Sequence, residues 1–253
     1  MYDAGKDKGY AEAEAVYEPQ LEAKYQEGYE DGKAEGGNTE EAYQQGVTDG
    51  KQEQYDAFWD AIQICGNKTN YNYCFSGKYW TDKIFKPKYE LLQTASYSYA
   101  FYQSAITTVY KHTFVCTYAN YMFADSAITK VGTININNTS TTLTNLFYNC
   151  KKLTTVELLS LYPNNPNTNS ITFSNAFYQC NSLAEIRFDG VIANNISFQQ
   201  SYRLSTDSVN DIIEHLSKNT SSIKTLTLQS TVGSKLTDEQ KAAITAKNWA
   251  VAY

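Results

Sequence analysis

Residues 147–156 read FYNCKKLTTV and residues 177–186 read FYQCNSLAEI, and these two stretches decide the fold. Each begins with phenylalanine, has cysteine three residues later, and continues with a leucine and a β-branched residue three apart. Two earlier stretches, FYQSAITTV at 101–109 and FADSAITKV at 123–131, carry the same frame with serine in place of cysteine. The four phenylalanines lie 22, 24 and 30 residues apart. Such spacing is typical of a repeat that stacks into a coil with loop insertions.

The later copies extend into the pattern L-x-x-L-x-L, at residues 153–158 and 183–188, and residues 223–228 repeat that shape. In such a pattern, alternate apolar side chains of a short strand point into the stack, Leu158 among them, and successive strands pair in parallel. A weaker copy at 196–205 aligns with 171–180. This alignment places Tyr202 at the phenylalanine position and Ser205 at the cysteine position.

The frame A-F-x-x-C-x-x-L-x-x-I, carried by residues 176–186, resembles the BspA-type leucine-rich repeat. The whole chain, including residues 55–60, 69–71 and 85–89, is similar to leucine-rich-repeat proteins encoded in prophage tail regions of gut bacteria. The first resemblance implies a surface adhesion or recognition molecule. The second implies a component of a virion.

The predicted fold class is α+β, in four parts. They are an acidic helical arm (1–64), a connector and N-terminal cap (65–98), a short irregular leucine-rich-repeat solenoid with parallel strands (99–205) and an αβ C-terminal cap (206–253). In the cap, residues 205–207 begin one helix, the capping box at 237–240 begins another, and residues 248–253 form an edge strand. A cap is expected because an open coil end exposes apolar core and unpaired backbone.

The N-terminal arm is acidic and internally repetitive. Residues 1–63 contain 5 Lys/Arg and 16 Asp/Glu, against 16 and 11 in the remainder. The segments YQEGYEDGKAE at 25–35 and YQQGVTDGKQE at 43–53 are displaced by 18 positions, or five helical turns. We therefore predict a helical stalk that self-associates or docks; a marginal, frayed helix is the alternative. The predicted assembly face consists of Tyr43, Val47, Tyr55, Phe58, Trp59 and Ile62.

Composition and motifs exclude several classes of function. The net charge is −6 and no basic stripe is present, which argues against nucleic acid. No apolar run is long enough to insert into a membrane, and the first 16 residues do not read as a secretory signal. No G-x-S-x-G, phosphate-loop, dinucleotide or zinc-protease motif occurs, and the S-x-x-K match at 221–224 lacks its companion elements, so we predict no enzyme activity, cofactor or metal. The five cysteines are predicted to be packing thiols, with a Cys150–Cys180 disulfide left open.

Tyrosines near the repeats are the candidate contact residues, because tyrosine combines a rigid apolar ring with a polar tip. They are Tyr97, Tyr99, Tyr102, Tyr118, Tyr121, Tyr148 and Tyr178. The favoured prediction is a non-enzymatic phage tail protein that binds a host surface protein or glycan. Its arm would bind other virion proteins and other copies of itself, with a trimer as one arrangement. A BspA-type cell-surface adhesin, exported from a longer precursor, is the alternative, and a carbohydrate-active enzyme is the third.

Overall fold

A computed structural model of the chain describes residues 48–50, 52–53, 56, 71–77, 83, 85, 94–138, 142–161, 170–218 and 222–253. The chain divides into two compact units, Met1–Asn67 and Lys68–Tyr253. In the first unit, residues 48–50, 52–53 and 56 are helical. The predicted assembly residues Tyr43, Val47, Tyr55, Phe58, Trp59 and Ile62 lie outside the described residues.

The second unit is a mixed α/β structure built on parallel strands. Five strands form one sheet in chain order: β1 (Ala95–Ser96), β2 (Thr108–Tyr118), β3 (Lys130–Ile136), β4 (Thr155–Leu161) and β5 (Glu185–Gly190). A second sheet contains β6 (Ile196–Phe198), β7 (Lys224–Leu228) and β8 (Trp249–Ala252), also in chain order. Every pair of neighbouring strands in the described residues is parallel. The predicted mixture of helices and parallel strands is therefore confirmed.

In the described residues a seven-residue turn occurs five times, at 71–77, 97–103, 119–125, 143–149 and 173–179. We number its positions 1 to 7, so that each phenylalanine of the frame stands at position 5. The first of these turns lies within the segment predicted to be a connector. Its sequence, YNYCFSG, matches YSYAFYQ at 97–103 at positions 1, 3 and 5. The repeated structure therefore begins earlier than the prediction placed it.

The turns are held together by an alternating set of backbone hydrogen bonds. At position 5, Phe101 N–H donates to Met122 O at 2.7 Å and Phe123 N–H donates to Leu146 O at 2.9 Å, so each turn bonds to the next. At position 4, Ala100 N–H instead donates within its own turn, to Tyr97 O at 3.0 Å. Amides at odd positions donate to the next turn, and amides at even positions donate within their own turn. The stacked turns therefore leave few backbone amides without a partner.

The phenylalanines at position 5 form a continuous ladder through the core. Successive ring centroids are 4.6–5.8 Å apart and the rings are nearly parallel. The ladder consists of Phe75, Phe101, Phe123, Phe147, Phe177 and Phe198, each at most 1 % exposed. The sequence predicted Tyr202 at this position of the last copy, and this prediction was wrong. Phe198 stacks on Phe177 at 4.6 Å, whereas Tyr202 is 54 % exposed. Ser201, fully buried, occupies the small-residue position that the sequence assigned to Ser205.

The strands of the first sheet supply the other side of the core, with one correction to the predicted pattern. Val156 pairs with Ile186, but the next matched pair is Leu159 with Phe188, so β4 contains one extra residue there. Side chains alternate between the two faces of a strand, and an extra residue therefore changes which one points inward. Leu159 is fully buried and Leu158 only partly so, although the sequence pattern predicted Leu158.

Helix α1 (Thr206–His215) closes the free edge of β5 in place of a further strand. The side chains of Ser208 and Asp211 accept hydrogen bonds from the β5 amides of Ile186 (3.0 Å) and Phe188 (2.7 Å). The predicted helix start is confirmed, because Ser205 is the N-cap and accepts from Ser208 N–H. Unpaired strand amides are thus satisfied without exposing an edge.

The strand after α1 joins the second sheet, which corrects another prediction. The segment at 223–228 was expected to continue the repeat strands, but β7 pairs with β6. The reason is that α1 occupies the edge of β5 that β7 would need. Ile223, expected to be an inward residue, is 67 % exposed.

Two short helices and a final strand complete the C-terminal part. Helix α2 (Ser230–Gly233) precedes α3 (Asp238–Ala246), and α3 begins with the predicted capping box of Thr237 and Gln240. Strand β8 lies at the edge of the second sheet, as predicted. Among the described residues, no helix is both long enough and apolar enough to cross a membrane.

Lys247 closes the C-terminal end of α1, and we expect its removal to destabilise the unit. Its Nζ donates to Ile213 O (2.9 Å), Glu214 O (2.5 Å) and Leu216 O (2.9 Å). Lys247→Met leaves these helix-end carbonyls without a charged donor and should cost about 1–2 kcal/mol of unfolding free energy in urea denaturation. Lys241→Met is the control, because Lys241 has only an exposed partner, Asp238, at 3.6 Å. Equal losses in both variants would contradict the proposed role.

Candidate functional site

Three tyrosines at position 3 of successive turns form a second, outer aromatic ladder. Tyr73 stacks on Tyr99 with centroids 4.6 Å apart and an interplanar angle of 6°, and Tyr99 stacks on Tyr121 at 4.6 Å and 7°. Tyr99 and Tyr121 were predicted as contact residues, but Tyr73 was not. The sequence signal for Tyr73 is the match between Y-N-Y-C-F at 71–75 and Y-S-Y-A-F at 97–101.

Position 6 supplies further tyrosines beside this ladder. Tyr148 stacks on Tyr178 at 5.2 Å, and Tyr178 is 41 % exposed. Tyr102 lies across the outer ladder, because its ring crosses that of Tyr99 at 81° with centroids 5.6 Å apart. We call the side chains at positions 3, 6 and 7 of the five turns the turn face.

The orientation of Tyr102 follows from what surrounds Tyr99. Both faces of the Tyr99 ring are covered, one by Tyr73 and the other by Tyr121. The T-shaped contact with Tyr102 is therefore made through the edge of Tyr99, which points at one face of the Tyr102 ring. The Tyr102 side chain is partly exposed, so a ligand can reach it from outside the ladder.

Position 7 adds a column of carboxylate and amide side chains next to the tyrosines. Asn149 Nδ2 donates to Asp125 Oδ1 at 2.6 Å, which links two turns. Gln103 Nε2 donates to the Tyr102 hydroxyl at 3.1 Å. Burial, and then the negative charge of Asp125, raise the pKa of Tyr102. A tyrosine hydroxyl is protonated at neutral pH, so that of Tyr102 keeps a hydrogen to donate.

The stacked turns contain almost no charged side chains. Across five turns of seven residues, Asp125 is the single charged side chain. The nearest described cations in the sequence are Lys151 and Lys152, both exposed and just past the fourth turn. The described residues also contain no group of three or more His, Cys, Asp or Glu side chains placed to hold a metal ion.

Two predicted contact residues lie elsewhere. Tyr97 is fully buried, stacked on Tyr71 at 5.1 Å and in edge contact with Phe114 at 5.4 Å, and burial raises its pKa. Tyr97 is therefore a core residue, because position 1 faces inward. Tyr118 is 49 % exposed at the end of β2, one residue before the third turn, so it borders the turn face.

The cysteines serve packing in the described part of the chain. Cys150 and Cys180 are free, which answers the open disulfide question in this structure. Each thiol donates to the phenylalanine carbonyl of the preceding turn: Cys150 to Phe123 O at 2.9 Å and Cys180 to Phe147 O at 3.1 Å. Burial raises the pKa of Cys150 to about 12 and that of Cys180 well above its usual value. Neither is suited to be a nucleophile, since the thiolate is the reactive form.

Comparisons of the chain with protein-family models, with curated proteins and with solved structures found no match. The turn face is the feature of the described residues that most resembles a binding site. It offers aromatic rings, one carboxylate and several amides on consecutive turns. This chemistry suits recognition through stacking and hydrogen bonding.

Proposed function

We propose that the chain is a non-enzymatic recognition protein, associated with a phage tail, that binds the surface of a host cell through its turn face. The observation that carries this proposal is the tyrosine-rich surface presented by consecutive turns. Tyrosine gives a large, rigid and amphipathic contact area and loses little conformational entropy on binding. Tail placement is drawn from the similarity to prophage-encoded leucine-rich-repeat proteins.

The backbone conformation at position 3 supports a role for these tyrosines in binding. Tyr73, Tyr99 and Tyr121 have φ between 55° and 61°, the left-handed region. Residues other than glycine, asparagine and aspartate enter this region at a cost of about 1–2 kcal/mol each. The last two turns have Asn145 and Asn175 there, which suit the conformation better. Tyrosine at the first three turns is therefore poorly explained by the backbone and well explained by a surface role.

The finer architecture belongs to the same proposal. We propose that residues 71–205 form a short leucine-rich-repeat solenoid closed by the C-terminal cap at 206–253, supported by the stacked turns, the phenylalanine ladder and the strands in chain order. Residues 1–64 are proposed to form a helical arm that joins copies of the chain or attaches them to other virion proteins.

The experiment is co-sedimentation of the full chain with cell envelopes from a panel of gut bacteria. We expect the wild-type chain to bind at least one envelope. The double variant Tyr102→Ala/Tyr121→Ala should bind it at least about tenfold more weakly, a loss of about 1.4 kcal/mol. The control is Tyr202→Ala/Tyr253→Ala, which also removes two tyrosines, 54 % and 56 % exposed, both outside the turns.

Circular dichroism would establish that both double variants are folded, and Tyr102→Ala alone provides a milder test. Equal binding by the turn-face variants and the wild type would rule out the turn face as the binding surface. A wild-type chain that binds no envelope in the panel would count against the proposed recognition function.

A further inference from the structure

We propose that the ligand of the turn face is an uncharged glycan, with one pyranose ring lying on the ring of Tyr102. This inference rests on the proposed function, because it names the chemical class of the ligand for that surface. It is carried by three features: the near absence of charge, the orientation of Tyr102 and the column of planar polar side chains beside it.

The charge of the turns selects against acidic ligands. The five turns contain Asp125 and no Lys or Arg. A phosphorylated or carboxylated glycan would meet a like charge at Asp125 and no cation within the turns, which disfavours binding. An uncharged glycan has no such penalty, and its hydroxyls can donate directly to the Asp125 carboxylate.

The geometry of the aromatic rings fixes where a sugar can stack. A pyranose ring has an apolar C–H face and hydroxyls around its rim, so it needs an aromatic face that is not covered. Tyr99 has neither face free, because it is sandwiched by rings at 4.6 Å on both sides. Tyr102 crosses this ladder at 81° and is partly exposed. The stacking position is therefore Tyr102 rather than the inner ring of the ladder.

Polar side chains lie beside this position and on the turns that follow it. Gln103 contacts the Tyr102 hydroxyl at 3.1 Å, and Asp125 and Asn149 are joined at 2.6 Å on the two following turns. Carboxylate and amide groups are planar and can bond two neighbouring hydroxyls at once. Asn149 holds Asp125 in place before any ligand arrives, which lowers the entropic cost of binding.

A protein ligand fits this surface less well. The cores of protein interfaces are apolar and bury side chains in well-packed pockets. The turn face has tyrosines with amides and a carboxylate between them, and its small apolar member Ala124 is fully buried. A partner rich in hydroxyl groups matches this composition better than an aliphatic side chain does.

The test uses the full chain and a bacterial envelope that the wild type binds. Periodate, which cleaves vicinal diols of sugars, should abolish binding, whereas proteinase treatment of the envelope should leave it within about twofold. Raising the salt concentration from about 50 to about 500 mM should change the affinity by less than about threefold, because no ion pair is involved. Tyr102→Phe, which keeps the ring, should retain most of the affinity, and Tyr102→Ala should lose at least about tenfold.

The alternative outcomes separate this inference from the proposed function. Loss of binding after proteinase, with the turn-face variants still weakened, would identify a protein ligand and overturn the glycan inference alone. Strong salt dependence together with weaker binding by Lys151→Ala/Lys152→Ala would identify an acidic glycan and also overturn it. If Tyr102→Ala binds as the wild type does, a sugar does not stack on Tyr102 and the glycan inference fails. Equal binding by Tyr102→Ala/Tyr121→Ala and the wild type would reject the proposed function itself.

Discussion

Replacing Phe147 with alanine is expected to lower the unfolding free energy of the second unit by about 3–5 kcal/mol. Phe147 is fully buried in the middle of the core ladder, between Phe123 at 5.5 Å and Phe177 at 5.8 Å. Truncation removes its own apolar surface from the core and leaves a cavity between two turns. Those turns are tied to their neighbours by backbone hydrogen bonds, which limits how far they can collapse into the gap.

Urea denaturation followed by circular dichroism measures this loss. Phe147→Leu should cost less, about 1–1.5 kcal/mol, because it retains most of the volume. Lys151→Ala, exposed and four residues further along the chain, should change stability by less than about 0.5 kcal/mol. A loss for Phe147→Ala no greater than that for Lys151→Ala would mean that the ladder is not the core of the unit.

The core could be predicted from the sequence because each turn repeats the same residue types at the same spacing. Phe101, Phe123, Phe147 and Phe177 stand three residues before a serine or cysteine, and all four lie in the ladder. The predicted alignment of the last copy was wrong because the sequence allows two alignments there. The correct one matches FQQSYRL at 198–204 with FYQCNSL at 177–183. The predicted alignment instead matched Ile196 and Phe198 with Ile171 and Phe173. It therefore overlooked Phe198 and Ser201 as the phenylalanine and the small residue of the turn.

The candidate surface was only partly predictable, for a different physical reason. The abundance of tyrosine was visible, but which rings cover each other depends on the stacking of turns distant in sequence. Tyr97 and Tyr99 are two residues apart, yet Tyr97 is buried and Tyr99 lies on the turn face, because positions 1 and 3 face opposite ways. The left-handed φ of the tyrosines at position 3 has no sequence signal, since such positions usually carry glycine or asparagine.

Of the described glycines in the first sheet, Gly132 leaves the least room for a side chain. Val109 pairs with Val131 and Thr113 pairs with Thr133, so three residues of β2 lie opposite Gly132 alone. A Cβ atom on Gly132 would lie 2.4 Å from Tyr110 O and 2.5 Å from His112 O. Both are backbone atoms, and moving them would disturb the pairing of β2 with β3 on either side.

We therefore expect Gly132→Ala to lower the unfolding free energy by about 2–3 kcal/mol, as overpacked core substitutions do. The matched control is Gly233→Ala in α2, where the three atoms nearest to the added Cβ all belong to the ring of Tyr253, a side chain that is 56 % exposed. This control should change stability by no more than about 0.5 kcal/mol, because alanine also favours the helix. If both variants were equally stable, the β2 backbone between Val109 and Thr113 could not lie in close contact with Gly132.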